Sequence, residues 1–153
     1  MRIVLKIDKE ELKSWIFWIA FAIVFSFTFN HALGYALKTE TPLVAVMSNS
    51  MYPAIHKGDV LIVKGVDPQD IKIGDIIVYK APSGMRIVHR VINITNEGYF
   101  ITRGDNNPAA DQDVGISPPV NPNMVLGRVV FRIPYIGWVK VIFSEIITFL
   151  LRK

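Results

Sequence analysis

Three features of this sequence could move a proton onto and off a hydroxyl. Two serines stand in Met47-Ser48-Asn49-Ser50-Met51-Tyr52-Pro53, one histidine sits inside the apolar run Ile87-Val88-His89-Arg90-Val91, and several aspartates lie between Asp59 and Asp113. A serine hydroxyl is a poor nucleophile at its own pKa and needs a base that works near neutral pH. Imidazole meets that need without extreme tuning, whereas an amine must first be strongly desolvated. Of the three histidines, His31 falls in an apolar stretch near the N-terminus and His56 lies beside Lys57 in a polar loop. His89 alone lies in a predicted strand, where alternation puts Ile87, His89 and Val91 on one face and Val88, Arg90 and Ile92 on the other. Each residue also has an ordinary structural reading. Ser48 and Ser50 could be turn serines bonding their own backbone, and His89 an imidazole packed on an apolar face.

The acid that would orient such a histidine is harder to choose. Asp59 and Asp75 both follow Gly just before predicted strands and read as turn residues; Asp105 repeats the Gly-Asp context. Asp111, after Pro108-Ala109-Ala110, lacks that explanation and sits in a loop that could fold back on the site. Asp113 is a weaker third candidate, better read as a solvated loop charge. With no cysteine in the chain, disulfides, thiolate zinc sites and a cysteine nucleophile are excluded. Hydroxyl chemistry of this kind needs no metal or cofactor, and none is expected.

These side chains must be held by the elements around them. The 153 residues suffice for one ordinary domain and a short appendage. Hydrophobic residues make up 51% of the chain and the mean hydropathy is +0.35, high for a protein bathed only in water. The net charge of +4 is scattered, with no Lys/Arg stripe interleaved with aromatics, so nucleic acid is not an expected partner. The apolar excess is concentrated: Trp15 to Leu37 contains no Asp, Glu, Lys or Arg, and a helix needs roughly 20 such residues to cross a hydrocarbon core. Arg2, Lys6, Lys9 and Lys13 precede it, while Lys38 and then only Lys57 follow closely, which predicts a cytoplasmic N-terminus. A cleaved signal peptide is the competing reading, given the small residues in Ala32-Leu33-Gly34 and Gly34-Tyr35-Ala36; the length of the apolar run favours a retained anchor.

Beyond Pro42 the pattern changes to short Val/Ile-rich runs at Leu43 to Val46, Val60 to Val63, Ile76 to Tyr79, Arg86 to Ile94, Tyr99 to Thr102 and Val125 to Ile133. Turn chemistry separates them, for example Lys57-Gly58-Asp59, Pro82-Ser83-Gly84 and Asn96-Glu97-Gly98. The expected fold is mainly β: an antiparallel, partly closed barrel or sandwich, with an N-terminal transmembrane helix and a C-terminal membrane-associated or packed helix. The expected divisions are a cytoplasmic segment 1–14, an anchor 15–37, an extracytoplasmic β domain 38–133 and a C-terminal helix 134–153. In that last segment Lys140 and Glu145 interrupt the apolar residues, and Tyr135 and Trp138 would suit a headgroup layer.

The serine motif and the blocks after it resemble a known family. Ser48-Asn49-Ser50-Met51-Tyr52-Pro53 matches the Ser-x-Ser-Met-x-Pro signature of type I signal peptidases. The likeness continues in order through Gly58-Asp59-Val60-Leu61-Ile62-Val63, Gly74-Asp75-Ile76-Ile77-Val78-Tyr79, Val88-His89-Arg90-Val91-Ile92 and Gly104-Asp105-Asn106-Asn107. Bacterial members carry a lysine where this chain has His89, so the sequence resembles the archaeal and endoplasmic-reticulum branch, thought to use Ser, His and Asp. The resemblance implies Ser50 as nucleophile, His89 as base and Asp111 as orienting acid, with Asp105 a supporting carboxylate. It also implies an oxyanion site from the Ser48 hydroxyl and the Ser50 N–H, and apolar substrate pockets that Met51 could help line.

The implied reaction is removal of signal peptides from secretory preproteins after small residues at the first and third positions before the cut. The implied partners are those preproteins, the lipid bilayer and the secretion translocon. The implied location is the cell membrane, single-pass, with the endoplasmic reticulum membrane as the alternative. Two rival readings remain open on sequence: a Ser-Lys dyad using Lys80, as in related self-cleaving repressors, and a non-catalytic membrane-tethered scaffold.

Overall fold

The computed structural model of the protein describes residues 8–151. Residues 1–7, with Arg2 and Lys6 of the expected cytoplasmic segment, and the final Arg152 and Lys153 lie outside the described residues.

Helix α1 (Lys9–Leu37) begins six residues before the charge-free run, because the Asp8 side chain caps the Glu10 N–H and Glu10 and Glu11 favour the helix's positive N-terminal end. It ends at Lys38, left-handed at φ 53°, where the N–H groups of Lys38 and Thr39 bond the Tyr35 and Gly34 carbonyls. None of its residues is buried, and Trp15, Phe17, Phe21, Phe25 and Phe29 stand exposed along it. It is long and apolar enough to cross a membrane. Its C-terminal end is fastened to the rest of the chain: the Gly65 N–H bonds the Leu37 carbonyl at 2.8 Å, and the Thr39 hydroxyl bonds the Leu126 carbonyl at 2.7 Å.

The remainder is built on one six-stranded sheet of β1 (Leu43–Ala45), β2 (Val60–Lys64), β3 (Ile76–Lys80), β4 (Arg86–Ile94), β5 (Phe100–Arg103) and β6 (Val125–Ile133). The spatial order is β1-β2-β6-β3-β4-β5, and every pair is antiparallel. The last strand thus lies between the second and third, joining the β1-β2 pair to the β3-β4-β5 meander. The mainly antiparallel architecture is as expected, and all six predicted strands form, with ends shifted by at most one residue. Barrel or sandwich is only an approximate description, since the sheet is not closed and β1 and β5 are its outer strands.

Period-two alternation places apolar side chains on both faces of the sheet. Ile77 and Tyr79 of β3 join Val91, Phe100, Ile71, Ala81 and Val120 in the larger core. On the opposite face Ile76 and Val88 pack against a smaller cluster of Val46, Met51, Ile55 and Leu61. The chain after β5 bridges back at Phe100 and Val120 and covers the larger core.

The expected C-terminal helix starts four residues late, as α2 (Trp138–Leu151), because Pro134 to Gly137 form a turn with Tyr135 left-handed at φ 64°. Trp138 lies over Gly58, whose φ is 89°; a Cβ at Gly58 would overlap the indole. Val141 is buried, and Glu145, one of the two interrupting charges, pairs with Lys57 at 2.6 Å. Most other apolar side chains of α2, including Val139, Phe143, Phe149 and Leu150, are exposed.

Gly127 is a close approach of β6 to the end of β2. Its φ is 152°, and a Cβ there would stand 2.5 Å from the Lys64 carbonyl oxygen and 2.8 Å from Val63 Cγ1. Gly127→Ala is expected to cost about 1–3 kcal/mol and lower the thermal unfolding midpoint by several degrees. Gly98→Asn, at a turn with φ 82° and open space around it, should leave the midpoint nearly unchanged. Equal midpoints for the two variants would show that this crowding does not limit the sheet.

Candidate active site

The serine motif lies on a loop closed at its base and weighted into the core. Val46 N–H bonds the Asp59 carbonyl and Gly58 N–H bonds the Val46 carbonyl, each at 2.9 Å, so residues 46 and 58–59 form the neck. Met51 and Ile55 are buried in the smaller core and hold the loop down. Asp59, itself buried, accepts the His56 N–H at 2.8 Å and the Arg132 guanidinium and Tyr135 N–H at 3.2 Å. A second loop, after β5, clamps the serine from the other side: Asn106 N–H bonds the Ser50 carbonyl at 2.8 Å.

The loops and β4 bring three distant residues into line. Ser50 Oγ lies 3.1 Å from His89 Nε2, and His89 Nδ1 lies 2.7 Å from Asp111 Oδ2. An ionised carboxylate only accepts, so Nδ1 carries the proton and Nε2 is left to accept from the serine. His89 is 4% exposed and Asp111 0%, whereas Ser50 sits at the surface end of the chain. Ser48 Oγ is 3.2 Å from Ser50 Oγ, on the exposed side. His89 stands on the face predicted by alternation, with Val91 beside it in the larger core.

Asp111 is held by more than the histidine. Thr102 Oγ1 and the Tyr79 hydroxyl lie 2.6 and 2.8 Å from the same Oδ2, while Oδ1 is buried without a hydrogen-bond partner among the described residues. The Asp111 backbone is also fixed, its N–H on the Thr102 carbonyl and its carbonyl accepting from Ile116 and Ser117. Burial pushes the Asp111 carboxyl up, but the hydrogen bonds from His89, Thr102 and Tyr79 and the neighbouring imidazole charge outweigh it, and the net shift is downward. Burial pushes the Tyr79 phenol well above its ordinary range, so it stays a donor.

The other candidates fall elsewhere. Asp105 does not reach His89; it accepts a bidentate pair from Arg90 at 2.8 and 2.6 Å, and Arg90 also bonds the Gly74 carbonyl at 2.7 Å. That fork ties β4 to the clamping loop from the face opposite His89. Asp113 is exposed, and Asp75 caps the Lys72 N–H and pairs with Arg128 at 3.1 Å. His31 packs edge-on against Phe27 on α1, and His56 packs edge-on against Tyr52 and accepts from Arg132. Lys80 lies exposed at the end of β3, opposite Arg86 in register. Among the described residues no group of three or more His, Cys, Asp or Glu side chains could hold a metal ion.

A cleft of about 280 Å³ leads to Ser50. One wall is Val44 to Met47 from β1 and the chain beyond it, the other Arg86 to His89 of β4, with Met51, Asn107 and Ile116 completing it. Sequence reasoning missed Tyr79, Thr102 and the Arg90 fork. A usable signal existed for the first two, since both are polar-tipped residues at inward positions of strands whose other inward residues are apolar.

Gly104 is a second close approach: a Cβ there would stand 2.6 Å from the Ser50 carbonyl oxygen and 2.9 Å from His89 Nε2. Gly104→Ala should separate the serine from the imidazole and cost about a hundredfold in turnover. The thermal midpoint should fall only slightly, so comparing the two measurements checks the assignment; a fully active Gly104→Ala protein would refute it.

A family model described as Peptidase S24-like matches residues 23–130. The signal peptidase complex catalytic subunit SEC11C of Homo sapiens is 34% identical over 114 residues, which is 70% of this chain and 59% of that protein. The catalytic subunit SEC11 of Colletotrichum graminicola is 31% identical over 134 residues, and sec11 of Pyrenophora teres f. teres 36% over 137; each match covers 82% of this chain and 78% of the relative. The chain therefore spans 59% of the length of the mammalian relatives. A matching family model over most of the chain, and relatives identical at about a third of the aligned positions, together establish that the chain belongs to the S24-like peptidases and, among them, to the type I signal peptidases of the endoplasmic-reticulum and archaeal branch.

Proposed function

We propose that this protein is a membrane-bound serine endopeptidase that removes N-terminal signal peptides from preproteins. The observation that carries the reading is the continuous hydrogen-bonded line from Ser50 through His89 to Asp111. In the first half-reaction Ser50 Oγ attacks the scissile carbonyl carbon while His89 Nε2 takes its proton. Collapse of the tetrahedral intermediate breaks the C–N bond, and the imidazolium returns that proton to the leaving amine. Water then enters, gives a proton to His89 and attacks the acyl carbon, and Ser50 leaves with the proton restored. Asp111 fixes the imidazole tautomer and stabilises the imidazolium without itself taking the proton. The Ser48 hydroxyl and Ser50 N–H stabilise the oxyanion, and Asp105 supports the loop from behind β4.

The substrate proposed is the extended segment after a signal peptide's hydrophobic core, with small residues at the first and third positions before the cut. The narrow apolar cleft between β1 and β4 suits such a strand, which would add main-chain hydrogen bonds at an edge and present alternate side chains inward. Met51, buried beneath the cleft, would form part of its floor.

We further propose that α1 is the anchor, with its N-terminus cytoplasmic and residues 38–133 extracytoplasmic. The exposed apolar face of α2 would rest on the lipid, and Trp138 and Tyr135 would sit in the headgroup layer. The location is the cell membrane, with the endoplasmic reticulum membrane as alternative, and the translocon is the proposed neighbour that delivers preproteins. Holding enzyme and substrate in one bilayer raises their effective concentration.

Detergent-solubilised protein incubated with a model preprotein, with the cut located by mass spectrometry, tests the reading. Ser50→Ala and His89→Ala should abolish cleavage. Asp111→Asn should lose about ten-thousand-fold and Ser48→Ala about a hundred- to a thousand-fold. Lys80→Ala should cleave normally. Cleavage that survives His89→Ala but not Lys80→Ala would transfer the base to lysine and overturn the mechanism.

A further inference from the structure

We infer that Tyr79 and Thr102 are positioning residues, whose two hydroxyls clamp one carboxylate oxygen of Asp111 and thereby set how His89 holds its proton. The inference rests on the proposed Ser50–His89–Asp111 reading and adds to it two groups that touch neither serine nor substrate.

The geometry is specific. Three donors on three strands converge on a single oxygen: His89 Nδ1 of β4 at 2.7 Å, Thr102 Oγ1 of β5 at 2.6 Å and the Tyr79 hydroxyl of β3 at 2.8 Å. Tyr79, Thr102 and Asp111 are fully buried, so water cannot replace a lost donor cheaply. The other oxygen, Oδ1, has no partner among the described residues and gives the carboxylate no competing hold. Without the two hydroxyls the His89 Nδ1–H alone would fix which oxygen the carboxylate presents. The register explains the convergence: Thr102 lies opposite Val91 and Tyr79 opposite Ile87, which places both on the His89 face.

The electrostatic consequence has a definite sign. Each hydroxyl disperses the negative charge on Oδ2 and makes the carboxylate less basic. A carboxylate stripped of one donor attracts the imidazolium proton more strongly, so the charged imidazole persists to higher pH and less free base is available. Tyr79, His89 and Asp111 are the titratable groups that face one another here; Thr102 and Ser117 complete the surround without charge, and Arg90 and Asp105 lie on the opposite face of β4. The phenol, its pKa raised by burial, remains a donor throughout the working range.

The test uses the full-length detergent-solubilised protein and compares Tyr79→Phe, Thr102→Val and Thr102→Ser. Tyr79→Phe and Thr102→Val should each lower kcat about tenfold with KM little changed. The acid limb of the rate profile should move to higher pH by roughly half a unit, and further in the double variant. Thr102→Ser keeps the hydroxyl and should stay near the parent in both respects. A rate loss with an unmoved limb, or no loss at all, would overturn the positioning role. In a Ser50→Ala background, which cannot turn over, the His89 ring-proton titration followed by NMR should move in the same direction. A shift there supports the clamp even if the unmodified protein proves to cleave nothing, in which case the peptidase reading alone falls; an unmoved titration sinks the clamp.

Discussion

The arrangement of β3, β4 and β5 turns on a carboxylate with no access to water, that of Asp111. An isolated ionised group at the depth of Asp111 would cost many kcal/mol, and it is tolerable only because donors reach it from several directions. Those donors belong to β3, β4 and β5, and the loop that carries Asp111 is itself bonded to the Thr102 backbone. Forming the sheet in register and satisfying the charge are therefore the same event. A one-residue slip of β4 or β5 would turn His89 or Thr102 to the other face and strip the charge of that donor. The same requirement specifies the register that brings the imidazole to the serine.

The two faces of the sheet divide the labour. The face with the larger core carries His89, Tyr79 and Thr102, while the smaller core on the other face takes Met51 and Ile55 and fixes the serine loop. Arg90, one residue after His89 and therefore pointing the other way, reaches Asp105 and draws in the loop whose Asn106 N–H holds the Ser50 carbonyl. Alternation along one strand thus serves both partners of the Ser50–His89 contact, one by direct placement and one through the loop.

Much of this could be read from residue order. The six strands follow from Val/Ile runs between Gly-, Pro- and Asn-rich turns, and the face of His89 from counting by twos. What could not be read was which strand neighbours which. β6 inserts between β2 and β3, through pairings across more than forty positions that no local pattern encodes. For the same reason the residues alone left Asp105 and Asp111 unresolved: both follow small residues in loops, and only the assembled sheet separates the one paired with Arg90 from the one against His89. The helix ends were displaced by local chemistry that hydropathy does not weigh, an Asp8 cap at one end and a Pro134-initiated turn at the other.

The junction between α1 and the sheet has a mechanical meaning. The Leu37 carbonyl is bonded to Gly65, the Thr39 hydroxyl reaches Leu126, and Lys38 presses so closely on Gly65 that no side chain would fit there. Those ties join the end of α1 to the chain just after β2 and to β6, so a pull on the helix end is passed first to the two central strands that link β1, one wall of the cleft, to the rest of the sheet.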